Sequence, residues 1–310
     1  MTAVRNVFSQ SAAKTGRESV FLALTASDGQ TPLILSLQDI GYCRRSYYRE
    51  NETIIYGKTF DESGTSAVIL AYVLETPEQI RAKLPPERPL LLLTAVGNAE
   101  AGFMPEMISH FCRNAEGTLI YSHSADKEGQ PLKMEIVRET PEEIMKMLGD
   151  DDTFLLLQGQ EGRSVGVNVD AISYCWRGKD GTHIQGHATT SPGDTLSMLA
   201  VVADSLEDVE QKFATRRALL RIGGASVDGF VPVSAVSSCI WDDESDSTWI
   251  YGRSSNHPVA PPLIVHLAEK PADILSAMEE EMRAVSVPTL QSAIRVSRQP
   301  VRFKPRQPPL

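Results

Sequence analysis

Aromatic residues with arginines close by in sequence are the side chains that could do chemistry in this chain. Aromatic rings can stack on a planar ligand, and arginine can pair with its negative charge. The sequence therefore predicts a binding groove, while the alternative is that the same rings only seal the interior between packed strands. The residues assigned to the groove are Tyr56, Tyr121, Trp176, Trp241 and Tyr251, with Arg44, Arg177 and Arg253 nearby.

Cysteine and histidine do not have the spacing of a metal site. Structural zinc usually takes closely spaced pairs of ligands, whereas the four cysteines are spread along the chain. His183 and His187 lie in a segment that reads as a strand, where residues four apart are separated by roughly 13 Å. We therefore predict no metal ion, no cofactor and reduced, mostly buried thiols.

Motifs of common enzyme classes are absent from the sequence. It has no phosphate-binding loop, no dinucleotide-binding fingerprint and no nucleophile elbow. An acidic run at 242–246 resembles the start of a calcium loop, but Ser247 stands where glycine is needed and Arg253 where glutamate is needed. We assign no catalytic residue and predict that the protein is not an enzyme.

The elements that must position these side chains follow a fourfold internal repeat, with a step of about 65 residues. Each repeat has a strand marked by a Tyr-Gly pair or its equivalent, at Tyr56-Gly57, Tyr121-Ser122, Gln185-Gly186 and Tyr251-Gly252. Each repeat also holds one cysteine, which follows an aliphatic residue by three positions at Cys43, Cys175 and Cys239. In the second repeat Phe111 has that spacing and Cys112 follows it, which predicts a bulge or a small insertion.

The order of signals within a repeat predicts an apolar run, three strands and a closing helix. Thr76, Thr140 and Ser205 are suited to cap the first three helices, whereas Lys270 offers no cap oxygen to the fourth. The predicted fold class is α+β, mostly β, with four tandem units that pack on one another. Their predicted bounds are 19–85, 88–149, 152–214 and 217–280, between a flexible arm at 1–18 and a tail at 285–310.

The charge of the chain is divided between an acidic body and a basic, proline-rich tail. The 310 residues carry a formal net charge of -10, which disfavours nucleic acid as a partner. Clustered arginines can grip carboxylates, so the tail is predicted to dock on an acidic protein surface, including that of a second copy. A merely solvated terminus is the alternative. The tail residues are Arg295, Arg298, Arg302, Lys304 and Arg306.

No segment has the roughly 20 consecutive apolar residues that a membrane-spanning helix needs. The N-terminus does not have the pattern of a secretory signal. We therefore expect a soluble cytoplasmic protein without a membrane partner.

The third repeat resembles short FlbD-like bacterial proteins that are found with flagellar genes. The shared pattern is a strand, a glycine turn, Val165-Gly166-Val167-Asn168, Ile172, a strand and a helix that contains Leu206 and Val209. That family has single small units, whereas this chain has four. The resemblance implies a fold and supplies no catalytic residue.

The sequence leaves three functions open. The leading hypothesis is a non-enzymatic interaction or assembly protein, because repeated β units supply extended surfaces and no catalytic set recurs among them. The second is a protein that holds or sequesters a small ligand, such as a nucleotide, in clefts between repeats. The third is an enzyme with its site at one repeat interface.

Overall fold

A computed structural model describes residues 21–60, 67–125, 130–149, 152–189, 196–223, 228–253 and 262–286. Within these ranges the chain is mostly β, with four α-helices, and the predicted α+β class is confirmed. The arm predicted at 1–18 lies outside the described residues, and so does the basic tail beyond Ser286 with all five of its predicted docking residues.

Each repeat contributes a two-stranded hairpin, then three more strands, then a helix. The first comprises β1 (Phe21–Thr25), β2 (Pro32–Ser36), β3 (Ile40–Arg45), β4 (Thr53–Phe60), β5 (Ala67–Val73) and α1 (Pro77–Lys83). The second comprises β6 (Leu91–Thr94), β7 (Glu100–Phe103), β8 (Ile108–Arg113), β9 (Thr118–Ala125), β10 (Pro131–Val137) and α2 (Pro141–Leu148).

The third and fourth repeats have the same order of elements. The third comprises β11 (Phe154–Gln158), β12 (Ser164–Asn168), β13 (Ile172–Arg177), β14 (Thr182–Thr189), β15 (Leu196–Val202) and α3 (Leu206–Ala214). The fourth comprises β16 (Leu219–Gly223), β17 (Asp228–Pro232), β18 (Val236–Asp242), β19 (Ser247–Gly252), β20 (Leu263–Leu267) and α4 (Pro271–Ser286).

The helices begin where the capping signals predict. Thr76 and Thr140 each accept a hydrogen bond from the backbone of the third helical residue, whose side chain reaches back to complete a capping box. Ser205 caps α3 by accepting from the backbone N–H of Asp208. Each helix buries one apolar residue at the same place in its first turns, namely Ile80, Ile144, Val209 or Ile274.

The sheets cross the boundaries between repeats. The first five-stranded sheet has the order β5-β4-β3-β7-β6, the second β10-β9-β8-β12-β11 and the third β15-β14-β13-β17-β16. In every one, the hairpin of the following repeat completes the sheet by pairing with the strand that we call the central strand, which is β3, β8 or β13. Among the described residues, β1-β2 remains a separate two-stranded sheet and β18-β19-β20 a three-stranded one.

The three junctions between a central strand and the next hairpin share one antiparallel register. In each junction, the residue three positions after the first residue of the central strand lies opposite a residue in the second strand of the next hairpin. These pairs are Cys43 with Gly102, Phe111 with Gly166, and Cys175 with Phe230. The register shift at the start of the central strand occurs in all four repeats, so it does not explain why Cys112 comes one residue later than the other cysteines.

A hairpin that completes the sheet of the preceding repeat has two buried faces, as β16-β17 illustrates. Leu220, Ile222 and Val231 pack into the core of the fourth repeat, around β19, β20 and α4. Leu219 and Phe230 point the other way, into the core of the third repeat. A hairpin therefore belongs to two hydrophobic cores at once.

The chain divides into two compact units, and the division falls between Met107 and Ile108. It thus lies inside the second predicted repeat, after that repeat's hairpin. The first unit holds the two-stranded sheet and the first five-stranded sheet, whereas the second holds the remaining three sheets.

Candidate interaction surfaces

The outer face of a hairpin is buried when a preceding repeat is present. Phe154 on β11 is 0% exposed, and its ring centroid lies 5.7 Å from that of Phe111 in the second repeat. Opposite Phe111, Gly166 leaves no space for a side chain, because a Cβ atom there would lie 2.1 Å from the phenyl ring. The third hairpin is therefore fitted closely to the repeat before it.

The fourth hairpin meets the third repeat in a comparable way. Phe230 is buried, with its ring 5.4 Å from that of Phe213 on α3. Arg221 on β16 forms an ion pair with Glu210 on the same helix. Burial raises the pKa of the Glu210 carboxyl, and the positive charge of Arg221 opposes that shift. This junction thus combines an aromatic contact with a mostly buried charge pair.

The first hairpin has the same construction, but among the described residues no central strand pairs with it. Ala23 lies opposite Ile34, as Arg221 lies opposite Phe230. Its inner residues Leu22 and Leu24 are buried, whereas Ile34 is 61% exposed. By the same register, Phe21 corresponds to Phe154, and it is 58% exposed. We call the surface formed by Phe21, Ala23 and Ile34 the first-hairpin face.

Polar contacts hold the first hairpin in place within its own repeat. The backbone N–H of Thr25 donates to both carboxylate oxygens of Glu75, at 3.1 and 3.0 Å. Lys83 on α1 pairs with the same carboxylate at 2.7 Å. These charge-assisted bonds hold the pKa of Glu75 below its usual value, against the opposing effect of burial. These contacts fix the hairpin within its own repeat, so its position does not depend on another strand pairing with β2.

In the fourth repeat, the central strand β18 pairs with no hairpin strand among the described residues. Cys43 and Cys175 are buried in their sheets, but Cys239 at the same place is only half-buried. The next residue, Ile240, is exposed. The backbone edge of β18 that corresponds to the paired edges of β3, β8 and β13 has no strand on it within the described part of the chain.

The last helix carries an exposed apolar residue beside this edge of the fold. Leu275 is the fifth residue of α4, as Glu210 is the fifth residue of α3. Glu210 is mostly buried against Arg221, whereas Leu275 is 54% exposed. We call the free-standing edge of β18 at Cys239, together with Leu275, the last-sheet face; the side chain of Ile240 lies on the opposite side of the sheet.

All four cysteines are free thiols, and burial suppresses their ionisation. Desolvation raises the pKa of Cys43 to about 12 and also raises the pKa of Cys175. The pKa of the half-buried Cys239 is raised for the same reason. Thiolates are the reactive form of cysteine, so none of these three is suited to act as a nucleophile at neutral pH.

The five aromatic residues predicted to bind a ligand lie in four different sheets. Tyr56 stacks on Tyr42 with ring centroids 4.3 Å apart, and its hydroxyl accepts from Arg44 at 3.2 Å. Tyr121 stacks on His110 at 4.3 Å. Both contacts are made with the residue opposite in the neighbouring strand.

The other three predicted residues also contact neighbours within their own repeats. Trp176 lies 5.4 Å from Tyr174, measured between ring centroids. Trp241 lies under the ammonium group of Lys270, at 3.0 Å from the ring centroid. Tyr251 lies 6.4 Å from Trp249. Of the five, Trp241 and Tyr251 share the last sheet. Their common role in binding a ligand stays a prediction.

Two open clefts have polar or charged linings. One of about 470 Å³ in the first unit is lined by residues that include Arg45, Tyr47, Asn98 and Glu100. The other, of about 580 Å³, lies beside α2. The described residues that line them include none of the five predicted aromatics.

Two other kinds of site are absent from the described ranges. These ranges hold no group of three or more His, Cys, Asp or Glu side chains that could bind a metal ion. They also hold no helix with the length and apolarity to span a membrane.

Sequence reasoning missed the two faces described above, because it treated each hairpin as one apolar run. Two positions carried a signal. The third junction has the charged Arg221 and Glu210, whereas the corresponding residues of the first hairpin and the last helix, Ala23 and Leu275, are apolar.

Comparisons with known proteins add no functional assignment. No family model matches the chain, and neither a curated protein nor a solved structure is significantly similar to it. The resemblance of the third repeat to FlbD-like proteins therefore stays a prediction.

Proposed function

We propose that this protein is a non-enzymatic assembly protein that binds protein partners, including further copies of itself, at the two ends of its repeat series. One observation carries the proposal: three sheets are completed by the hairpin of the next repeat, while the first hairpin and the last sheet have the same parts without that completion in the part of the chain that the structure describes. Strand addition to such an edge is a common way for proteins to bind one another.

Physical chemistry favours covering these ends. An exposed central strand presents backbone donors and acceptors in a row, which makes it a template for another strand. Apolar side chains that are grouped rather than scattered mark interaction sites. Ile34 and Leu275 are exposed at positions whose counterparts in the third junction, Phe230 and Glu210, are buried or mostly buried.

Sedimentation velocity over a range of concentrations tests the proposal. The full chain is expected to form species larger than a monomer, and Ile34→Lys is expected to weaken this association at least about tenfold, since 1.4 kcal/mol corresponds to tenfold in affinity. Tyr48→Lys is the matched control, because Tyr48 is also exposed but lies in the turn between β3 and β4. A chain that stays monomeric at every concentration would contradict the proposal.

The basic tail is proposed as a second docking segment, on the strength of its composition alone. Removal of residues 287–310 is expected to leave association in place but to weaken it and to reduce its dependence on salt, because arginine contacts with carboxylates are screened by ions. An unchanged salt dependence in sedimentation would remove the tail from the proposal. The end surfaces are tested separately by the variants above.

A further inference from the structure

We propose that the first hairpin of one copy completes the last sheet of a second copy, with Ile34 opposite Cys239. This rests on the proposed function and adds to it the partner, the orientation and the register. The hairpin of the second copy takes the place that the hairpin of the next repeat has in the other three sheets.

The register follows from the three junctions inside the chain. Each pairs the third residue after the start of the central strand with the residue six positions before the start of the next central strand. The last central strand begins at Val236, which selects Cys239. The first central strand begins at Ile40, which selects Ile34. Register is strongly specified here, because a slip by one residue would turn the apolar face of β2 to the wrong side.

The sizes of the paired side chains fit this register. One member of each known pair is small: glycine opposite Cys43, glycine opposite Phe111 and cysteine opposite Phe230. Ile34 opposite Cys239 continues the pattern, with a large residue on the hairpin and a small one on the central strand, as at Phe230 and Cys175. The combined side-chain volume of Ile34 and Cys239 therefore lies between those of the smallest and the largest pairs that the fold already accommodates.

A second contact supports the same arrangement. In the third junction, Arg221 of the hairpin pairs with Glu210 of the preceding helix. At the proposed junction the corresponding residues are Ala23 and Leu275, both exposed within one chain. Both of the charged positions hold apolar residues here, so the contact would not bury an unpaired charge. In this respect the proposed junction resembles the second one, where Met145 of α2 and Leu156 of β11 occupy these two places.

The contact is heterologous, because two different surfaces meet. When two copies bind, the pair still presents one unbound first-hairpin face and one unbound last-sheet face. Further copies can therefore add until the assembly closes into a ring or extends as a filament. Either outcome gives species larger than a dimer as the concentration rises.

Directed disulfide formation between two distinguishable chains tests the register. At the first junction, a Cβ atom added to Gly102 would lie 3.3 Å from the sulfur of Cys43. Side chains at this pair of positions are therefore in direct contact, which is the approach that a disulfide between the equivalent residues requires. The donor chain carries Ile34→Cys and Cys239→Ala, and the acceptor chain keeps both natural residues and carries a tag. Cys112→Ala in both chains removes the other half-buried thiol.

The chains are mixed, oxidised with copper phenanthroline and separated on a non-reducing gel. The expected result is a band with one donor and one acceptor, at least tenfold stronger than in a mixture whose donor carries Phe21→Cys instead. Phe21 is as exposed as Ile34 but lies on the outer strand of the hairpin. Equal yields from the two donors would overturn the proposed register.

Two further results would overturn the proposal while leaving the proposed function intact. One is association in sedimentation without the Ile34→Cys cross-link to Cys239, which would mean that like ends meet or that another surface is used. The other is a disulfide formed within a single monomeric chain when Ile34→Cys is combined with the natural Cys239. A chain that neither associates nor cross-links would instead contradict both the proposed function and this inference.

Discussion

Phe213 and Phe230 lie 5.4 Å apart between ring centroids, although one is on the helix of the third repeat and the other on the hairpin of the fourth. Both are fully buried. The contact shows that a repeat of this protein is finished by its successor. Among the described residues, the first hairpin and the central strand β18 are the parts that have no such pairing with a neighbouring repeat.

Phe154 and Phe21 occupy the same position in two hairpins and give a matched pair of variants. Phe154→Ala is expected to lower the free energy of unfolding by about 3–5 kcal/mol, since it removes a fully buried ring. Phe21→Ala is expected to change it by no more than about 0.5 kcal/mol, since the ring is largely exposed. Urea unfolding at low protein concentration measures both.

The same pair separates stability from association. Phe21→Ala should weaken self-association in sedimentation, even though the isolated chain is nearly as stable as before. Equal losses of stability in the two variants would show that Phe21 is buried within a single chain and would remove it from the first-hairpin face.

Gly166 is expected to tolerate no side chain. Gly166→Ala would place a Cβ atom 2.1 Å from the ring of Phe111, and accommodating it requires a shift of strand or ring that costs about 1–3 kcal/mol. Gly57→Ala is the control, because its new Cβ would meet the end of Leu70 at 3.2 Å, where a flexible side chain can yield. Thermal unfolding compares the two, and a larger loss in Gly57→Ala would contradict this account of the junction.

The ion pair of Arg221 and Glu210 is expected to be replaceable only as a unit. Arg221→Ala leaves a mostly buried carboxylate without its partner and should cost about 1–3 kcal/mol or more. Changing Glu210→Leu at the same time reproduces the apolar pair at the chain's ends and should recover most of that loss, as apolar replacements of buried ion pairs often do. A double-mutant cycle in urea measures the coupling. If the double variant lost as much as the sum of the single ones, the two positions would not be coupled.

His110 is expected to make the fold sensitive to acid. Burial is the main cause that lowers the pKa of its imidazole to about 3, and the nearby charge of His123 adds to the effect. The folded chain therefore binds fewer protons than the unfolded chain between about pH 6.5 and 3, so this contribution to stability is present above pH 6.5 and is lost as the pH falls. His110→Phe should unfold less steeply with acid over that range. An identical acid profile for the natural chain and the variant would contradict the assignment.

Local signals in the sequence predicted local structure well. The helix starts at Thr76, Thr140 and Ser205 follow from side chains that bond to the backbone only a few residues away, and the structure confirms them. The predicted fold class is also confirmed. These features depend on short-range hydrogen bonds and on periodicity, both of which are visible in the order of residues.

The sharing of strands could not be predicted in the same way. Pairing Cys175 with Phe230 joins residues of successive repeats, and the apolar pattern of a hairpin buried on both faces does not say which strand it will join. The ends were also hard to recognise, since Ala23 and Leu275 are unremarkable until they are aligned with Arg221 and Glu210. The predicted ligand aromatics were found through their recurrence, and recurrence alone does not distinguish stacking on a neighbour from stacking on a ligand.

Hydrogen exchange of the backbone amides, measured by mass spectrometry at low and at high protein concentration, tests the central claim most directly. We predict that peptides containing β2 and β18 become more protected as the concentration rises, while β3, β8 and β13 are protected at both concentrations because their hairpins are already in place. In Ile34→Lys the concentration-dependent protection should disappear. Protection of β2 and β18 that does not change with concentration would contradict the account.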